Sequence, residues 1–134
     1  MGESIHHADL VEGMVKWVRV QHSANTGLSL LVDSVTTLPG RRPPRIGGFT
    51  PDLFVRTVPS SFVIVGEAKT YADFLERRPA TQITAFLIYL RSQAAPTFVM
   101  ATPLAIAGAA RTLVKRLQRE TDSRNVKTVF IHGR

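Results

Sequence analysis

Two runs of apolar and β-branched residues on either side of a single Pro-Ser pair leave this chain little freedom. Asp52 to Val58 and Ser61 to Lys69 flank Pro59-Ser60, and the second run contains Phe62-Val63-Ile64-Val65-Gly66 with no charge before Glu67. Such segments read as neighbouring strands joined by a tight turn, the second made of core material. With Pro59 and Ser60 as the turn, Val58 opposes Ser61, and counting outward sets Asp52 across from Glu67. Directly opposed residues carry Cβ atoms about 4.5–5.5 Å apart on a shared face. The strand period of two brings Lys69 to the face of Glu67. The register decides everything here: Pro-Ser is not a favoured hairpin pair, and a slip of one residue would turn Asp52 away.

The remaining pattern places this hairpin in a larger fold. Ser4 can cap a helix reaching about Gln21, with Leu10, Met14, Trp17 and Val18 on one face and Glu12, Lys16 and Arg19 on another. Leu28 to Thr37 reads as a strand, followed by the Pro/Gly/Arg loop from Leu38 to Gly48. Thr70 and Asp73 form a capping-box pattern for a short helical piece. Pro79 opens a longer helix to about Ser92. Thr97 to Ala101 is a buried strand, Thr102-Pro103 starts a helix to about Arg119, and Val126 to Ile131 closes the chain as a strand. A hairpin followed by strand–helix–strand units predicts an α/β fold, a mixed sheet with helices on both faces. At 134 residues the chain is read as one domain, 1–134.

Composition narrows the function. Cysteine is absent, which excludes disulfides, thiolate catalysis and Cys-ligated zinc. No apolar run is long enough to span a bilayer, and the N-terminus lacks the layout of a secretion signal, so a soluble cytoplasmic protein with no membrane partner is expected. The net charge of +7 and a pI near 10.8 favour a polyanionic partner. No Ser/His/Asp pattern or Gly-rich phosphate loop is present to suggest a serine hydrolase or an NTPase.

Opposed carboxylates destabilise a strand pair, so a cation is expected between Asp52 and Glu67: Lys69 in part, and a hard divalent ion for the rest. Pro51-Asp52 followed by Glu67-Ala68-Lys69 resembles the PD-(D/E)XK nuclease superfamily, whose core is an α-β-β-β-α-β unit with this acidic pair and lysine on its second and third strands. Gly48-Phe49-Thr50-Pro51-Asp52-Leu53 is similar to the Gly-x-Pro-Asp-Leu segment of archaeal Holliday-junction resolvases and of virus-type replication-repair nuclease modules. Gln82 matches the glutamine those modules carry on the next helix. The resemblance spans about Glu3 to Ala101, with the last helix and strand as an addition to the restriction-endonuclease-like core. It implies metal-dependent phosphodiester hydrolysis. Asp52, Glu67 and the Ala68 carbonyl would bind Mg²⁺ or Mn²⁺, and Lys69 would orient water and offset transition-state charge. Gln82 would reach the phosphate or the water.

Other residues carry two readings each. Glu12 either adds a carboxylate to the metal site or pairs with Lys16 one turn on. Arg41, Arg42 and Arg45 either grip phosphates beside the scissile one or form a solvated linker. Arg111, Lys115 and Arg119 form a cationic stripe that either contacts nucleic acid or aids solubility. His6 and His7 read as helix-start residues, and His22 and His132 receive no role. Few exposed aromatics are expected, which argues against a base-stacking binder. The expectation is a divalent-metal-dependent DNA endonuclease, with RNA not excluded as substrate. The alternatives are a silent nucleic-acid-binding domain of the same fold or a structural subunit of a nucleic-acid complex. A domain of this size can act as a homodimer to cut two strands, though the sequence marks no interface.

Overall fold

The computed structural model describes residues 5–24, 27–34, 40–57, 61–76 and 79–133. Helix α1 (Ile5–Gln21) precedes an antiparallel meander of β1 (Leu28–Val32), β2 (Leu53–Thr57) and β3 (Val63–Ala68). Short α2 (Tyr71–Glu76) and then α3 (Pro79–Leu90) cross to β4 (Pro96–Pro103), which runs parallel to β3. A 3₁₀ turn (Leu104–Ile106) and α4 (Ala107–Glu120) lead to β5 (Lys127–Gly133), parallel to β4. The sheet is mixed, five-stranded, and ordered β1-β2-β3-β4-β5. This is the α/β class that the hairpin and the strand–helix–strand pattern predict. Among the described residues no helix is long and apolar enough to cross a membrane.

Alternation along the strands sorts side chains into two layers. Val63 and Val65 pack with Phe54, Phe98 and Met100 beneath α3 and α4, where Ile83, Phe86, Leu87, Leu90, Val114 and Leu117 close the core. Ile64 and Ala68 pack with Leu53, Val55, Val99 and Ala101 beneath Leu10, Val11, Met14 and Val18 of α1. Being covered on both faces, β3 is buried from end to end, which is why it reads as a continuous apolar run.

The hairpin register is the expected one. Leu53 pairs with Gly66, Phe54 with Val65, Val55 with Ile64 and Arg56 with Val63, so the next pair outward is Asp52 with Glu67. The proposed turn residues Pro59 and Ser60, and the helix cap Ser4, lie outside the described residues. The Thr70 cap is present: the Asp73 N–H donates to Thr70 Oγ1 at 3.2 Å, one of the two bonds of a capping box. Boundaries differ in two places. The first strand ends at Val32 rather than Thr37, with Asp33 and Ser34 already outside it. Thr102-Pro103 does not open a helix, because both residues remain in β4, paired with His132 and Gly133 of β5. Proline tolerates this end position, and the chain turns through Leu104–Ile106 before α4 begins at Ala107.

The loop before β2 is anchored rather than slack. Ile46 and Phe49 exchange backbone hydrogen bonds of 2.7 and 3.1 Å around Gly47 (φ +59°) and Gly48 (φ +87°), a turn whose two positive φ angles favour glycine. A Cβ on Gly47 would sit 2.7 Å from the Ala85 Cβ of α3. Gly47→Ala should therefore cost roughly 1–3 kcal/mol in urea unfolding. Gly108→Ala, in α4 with open space around it, should instead gain up to about 1 kcal/mol.

Candidate functional site

At the end of the sheet where β3 leaves the core, the ladder gives way to side chains. Glu67 is the penultimate residue of β3, and Lys69 follows just past its end. Glu67 is 3% exposed and Lys69 5%. The Lys69 N–H donates to the Ala101 carbonyl of β4 at 3.0 Å, which fixes this backbone beyond the strand's end. Its Nζ lies 3.2 Å from Glu67 Oε2 and donates a short hydrogen bond to Gln82 Oε1 of α3. Asp52 stands immediately before β2. Its N–H donates to Glu67 Oε1 at 3.1 Å, and the Ala68 N–H donates to Asp52 Oδ2 at 2.8 Å. The carboxylates thus take up the amide donors that a longer strand pair would have used.

Asp52, Glu67 and Lys69 therefore meet, as the hairpin count and strand alternation predict, and Ala68 and Gln82 join them, as the family resemblance implies. A further residue joins them. His7 Nε2 of α1 lies 3.1 Å from Asp52 Oδ2, so the site is contacted from both helical layers. His7 is the helix-start residue expected, in the first turn of α1, and it additionally contacts Asp52, which was not expected from the sequence. The signal was available: His7 precedes Leu10, Met14 and Val18 at the spacing of the buried stripe of α1, so it faces the sheet.

The electrostatics are lopsided. Burial is the main force pushing the Glu67 carboxyl well above its ordinary range; the neighbouring Asp52 pushes the same way, and Lys69 opposes. An open cleft of about 1430 Å³ lies over this corner. Its lining includes six carboxylates (Asp9, Glu12, Asp33, Asp52, Glu67, Asp73) against three cations (Lys16, Arg42, Lys69), together with His6, His7 and His132. The cleft is acidic in a chain of net charge +7. Two hard oxygen donors in a corner short of positive charge suit a hard divalent cation, with water completing its shell. Among the described residues no three His, Asp or Glu side chains form a ready-made ligand cluster.

The other candidates divide. Glu12 is exposed on α1 and lines the cleft without joining the Asp52–Glu67 pair as a third ligand. Arg42 lines the cleft and donates to Asp33 Oδ1 at 2.9 Å, and Arg45 donates to the Gly48 carbonyl at 2.6 Å. Arg41 is exposed and does not line the cleft. The α4 stripe is not brought to this corner. The Arg111 guanidinium covers the Phe130 ring at 4.4 Å, and Lys115 Nζ donates to Thr128 Oγ1 at 2.9 Å. Arg119 lies with Lys115, Arg124 and Lys127 around a separate shallow hollow. Thr128 pairs with Phe98 near the start of β4, whereas the corner adjoins Ala101 near its end.

No protein-family model matches the chain, and no curated protein sequence matches it. Among solved structures, the chain is similar to SfsA of Pyrococcus furiosus, solved in complex with Ca²⁺, at 14% identity and a TM-score of 0.53. The match covers 92% of this chain and 56% of that one, so the chain spans little more than half the length of SfsA. At this identity the likeness is one of fold.

The raised Glu67 pKa has a definite consequence for stability. A carboxyl whose folded pKa exceeds its unfolded value keeps its proton longer in the folded protein. Over that interval the folded state holds more protons than the unfolded state, so stability falls as pH rises. The loss should begin near the ordinary value of 4.5 and continue up to the raised value. Urea midpoints measured across this range should fall in the wild type, and Glu67→Gln should flatten the decline.

Proposed function

We propose that this protein is a divalent-metal-dependent nuclease that hydrolyses phosphodiester bonds, with DNA as substrate. The observation that carries the reading is the buried Asp52–Glu67–Lys69 corner, with Gln82 holding the lysine, at the mouth of an acidic cleft. Burying two carboxylates beside one ammonium is costly unless the corner has a use for the charge. A polyanion would be repelled from this lining unless a cation accompanied it. Support also comes from the Pro51-Asp52 and Glu67-Ala68-Lys69 motif, which sits at the adjoining ends of β2 and β3, and from the net charge of +7. SfsA, a protein of similar fold, was solved with Ca²⁺, another hard cation of the kind oxygen donors bind.

In this reading Asp52 and Glu67 hold the metal and the Ala68 carbonyl assists. The bound ion would polarise the scissile phosphate and lower the pKa of its water. The protein's own groups do the rest. Lys69, held by Glu67 and Gln82, is oriented in advance and presents a full charge to the phosphate oxygens as negative charge grows there. Gln82 uses its oxygen on Lys69, which leaves its amide N–H groups to donate to phosphate or water. His7 braces Asp52 against rotation by a contact from the opposite layer.

A panel of paired, branched and single-stranded DNA and RNA, incubated with Mg²⁺, Mn²⁺ or chelator, tests the proposal. The wild type should cut DNA with metal and not with chelator. Lys69→Met and Glu67→Gln, chosen to conserve volume at buried positions, should each lose at least about 100-fold in rate. Salt-sensitive DNA binding without cleavage under any metal would replace this reading with that of a silent binding domain.

A further inference from the structure

Helix α2 begins two residues beyond Lys69 and carries an apolar face with no core to cover. Tyr71 is 56% exposed and Leu75 63%, one turn apart and therefore neighbours on the helix surface. Phe74 of the same helix packs against the core, so α2 is seated and its other side is left outward. The start of the helix is pinned: Thr70 Oγ1 accepts the Asp73 N–H, and the Thr70 carbonyl accepts the Phe74 N–H at 3.0 Å. Tyr71 lines the cleft beside Lys69, Thr70 and Gln82. An aromatic ring on a backbone pinned at its helix start thus stands open to solvent next to the residue proposed to meet the scissile phosphate.

We propose that Tyr71, extended by Leu75, is a platform for an unstacked nucleobase, and that the substrate is nucleic acid with a single-stranded or splayed segment at the scissile phosphate. The position of that phosphate rests on the nuclease reading; the platform itself does not. The Tyr71 hydroxyl can donate to a phosphate, whereas its ring face and the Leu75 side chain cannot, so Tyr71→Phe, which removes only the hydroxyl, separates a backbone contact from a base contact. Every base has a π-face that a tyrosine ring can cover without regard to sequence. In a fully paired duplex those faces are already stacked on their neighbours, so a platform near the cut strand is useful only where stacking has been broken.

Binding measured in Mg²⁺ to nuclease-resistant phosphorothioate DNAs, so that the cation is present and no strand is cut, separates this inference from the nuclease reading. Wild type, Tyr71→Ala, Tyr71→Phe and Leu75→Ser would be titrated against equal lengths of paired duplex, splayed duplex and single strand. A fluorescent adenine analogue beside the branch reports base contact. Tyr71→Ala should weaken splayed and single-strand binding roughly 5- to 100-fold. It should leave duplex binding unchanged and abolish the analogue's fluorescence change. Tyr71→Phe, which keeps the ring, should bind as the wild type does, and Leu75→Ser should show a smaller loss. Equal loss on all three DNAs, or none on any, would overturn the inference even if the wild type cuts DNA. So would a change in oligomeric state by light scattering in Tyr71→Ala, which would assign the apolar face to a second copy of the chain. Conversely, a Tyr71-dependent preference in a protein that cuts nothing would keep the platform and discard the nuclease.

Discussion

The arrangement depends on one buried ammonium. Lys69 is held between Glu67 and Gln82 with almost no contact with water, and it is the charge that lets two carboxylates share the end of a sheet. Asp52 and Glu67 accept amide protons from Ala68 and Asp52, so they also terminate the β2–β3 ladder. Site and fold are therefore the same contacts seen twice. The sheet must end here for the carboxylates to gather, and the carboxylates satisfy the donors that its ending leaves free. One ammonium does not balance two carboxylates: burial first and the neighbouring Asp52 second push the Glu67 carboxyl upward, and Lys69 only partly opposes them.

The topology explains how residues far apart in sequence reach this corner. β2 and β3 supply the carboxylates from an antiparallel pair, while the parallel β4 supports Lys69 through the Ala101 carbonyl. α1 and α3 cover opposite faces, so His7 meets Asp52 from one layer and Gln82 meets Lys69 from the other. The basic residues outside the cleft do not share this geometry. The α4 stripe is committed to β5 through Phe130 and Thr128, and any role it has in holding a polyanion is exercised away from the corner.

Much of this was legible in the residues because the informative positions obey short-range rules. Strand alternation fixed which of Val63 to Lys69 share a layer, and the Thr70–Asp73 spacing marked the start of α2. What escaped has an identifiable cause in each case. His7 was judged by its neighbour His6 rather than by its place on the buried stripe of α1, where tertiary packing carries it to Asp52. Thr102-Pro103 has the local form of a helix start, but pairing with β5 outweighs that preference. Tyr71 has no periodic pattern to mark it as exposed, because its helix is only six residues long. The division of the Arg41, Arg42 and Arg45 loop is likewise tertiary, set by where Asp33 and Gly48 happen to lie.

The central claim is the proposal that a divalent cation binds at the Asp52–Glu67 corner, and metal binding coupled to proton release addresses it most directly. Because Glu67 holds its proton above the ordinary range, a divalent cation that binds there must displace it. Calorimetric titration of the wild-type protein with Mn²⁺, repeated at a series of pH values from the ordinary carboxyl value of 4.5 upward and in two buffers of different ionisation enthalpy at each, reads both binding and the protons released. The account predicts saturable binding accompanied by proton release, with both lost in Glu67→Gln. Binding that is absent, or that persists unchanged in Glu67→Gln, would contradict it.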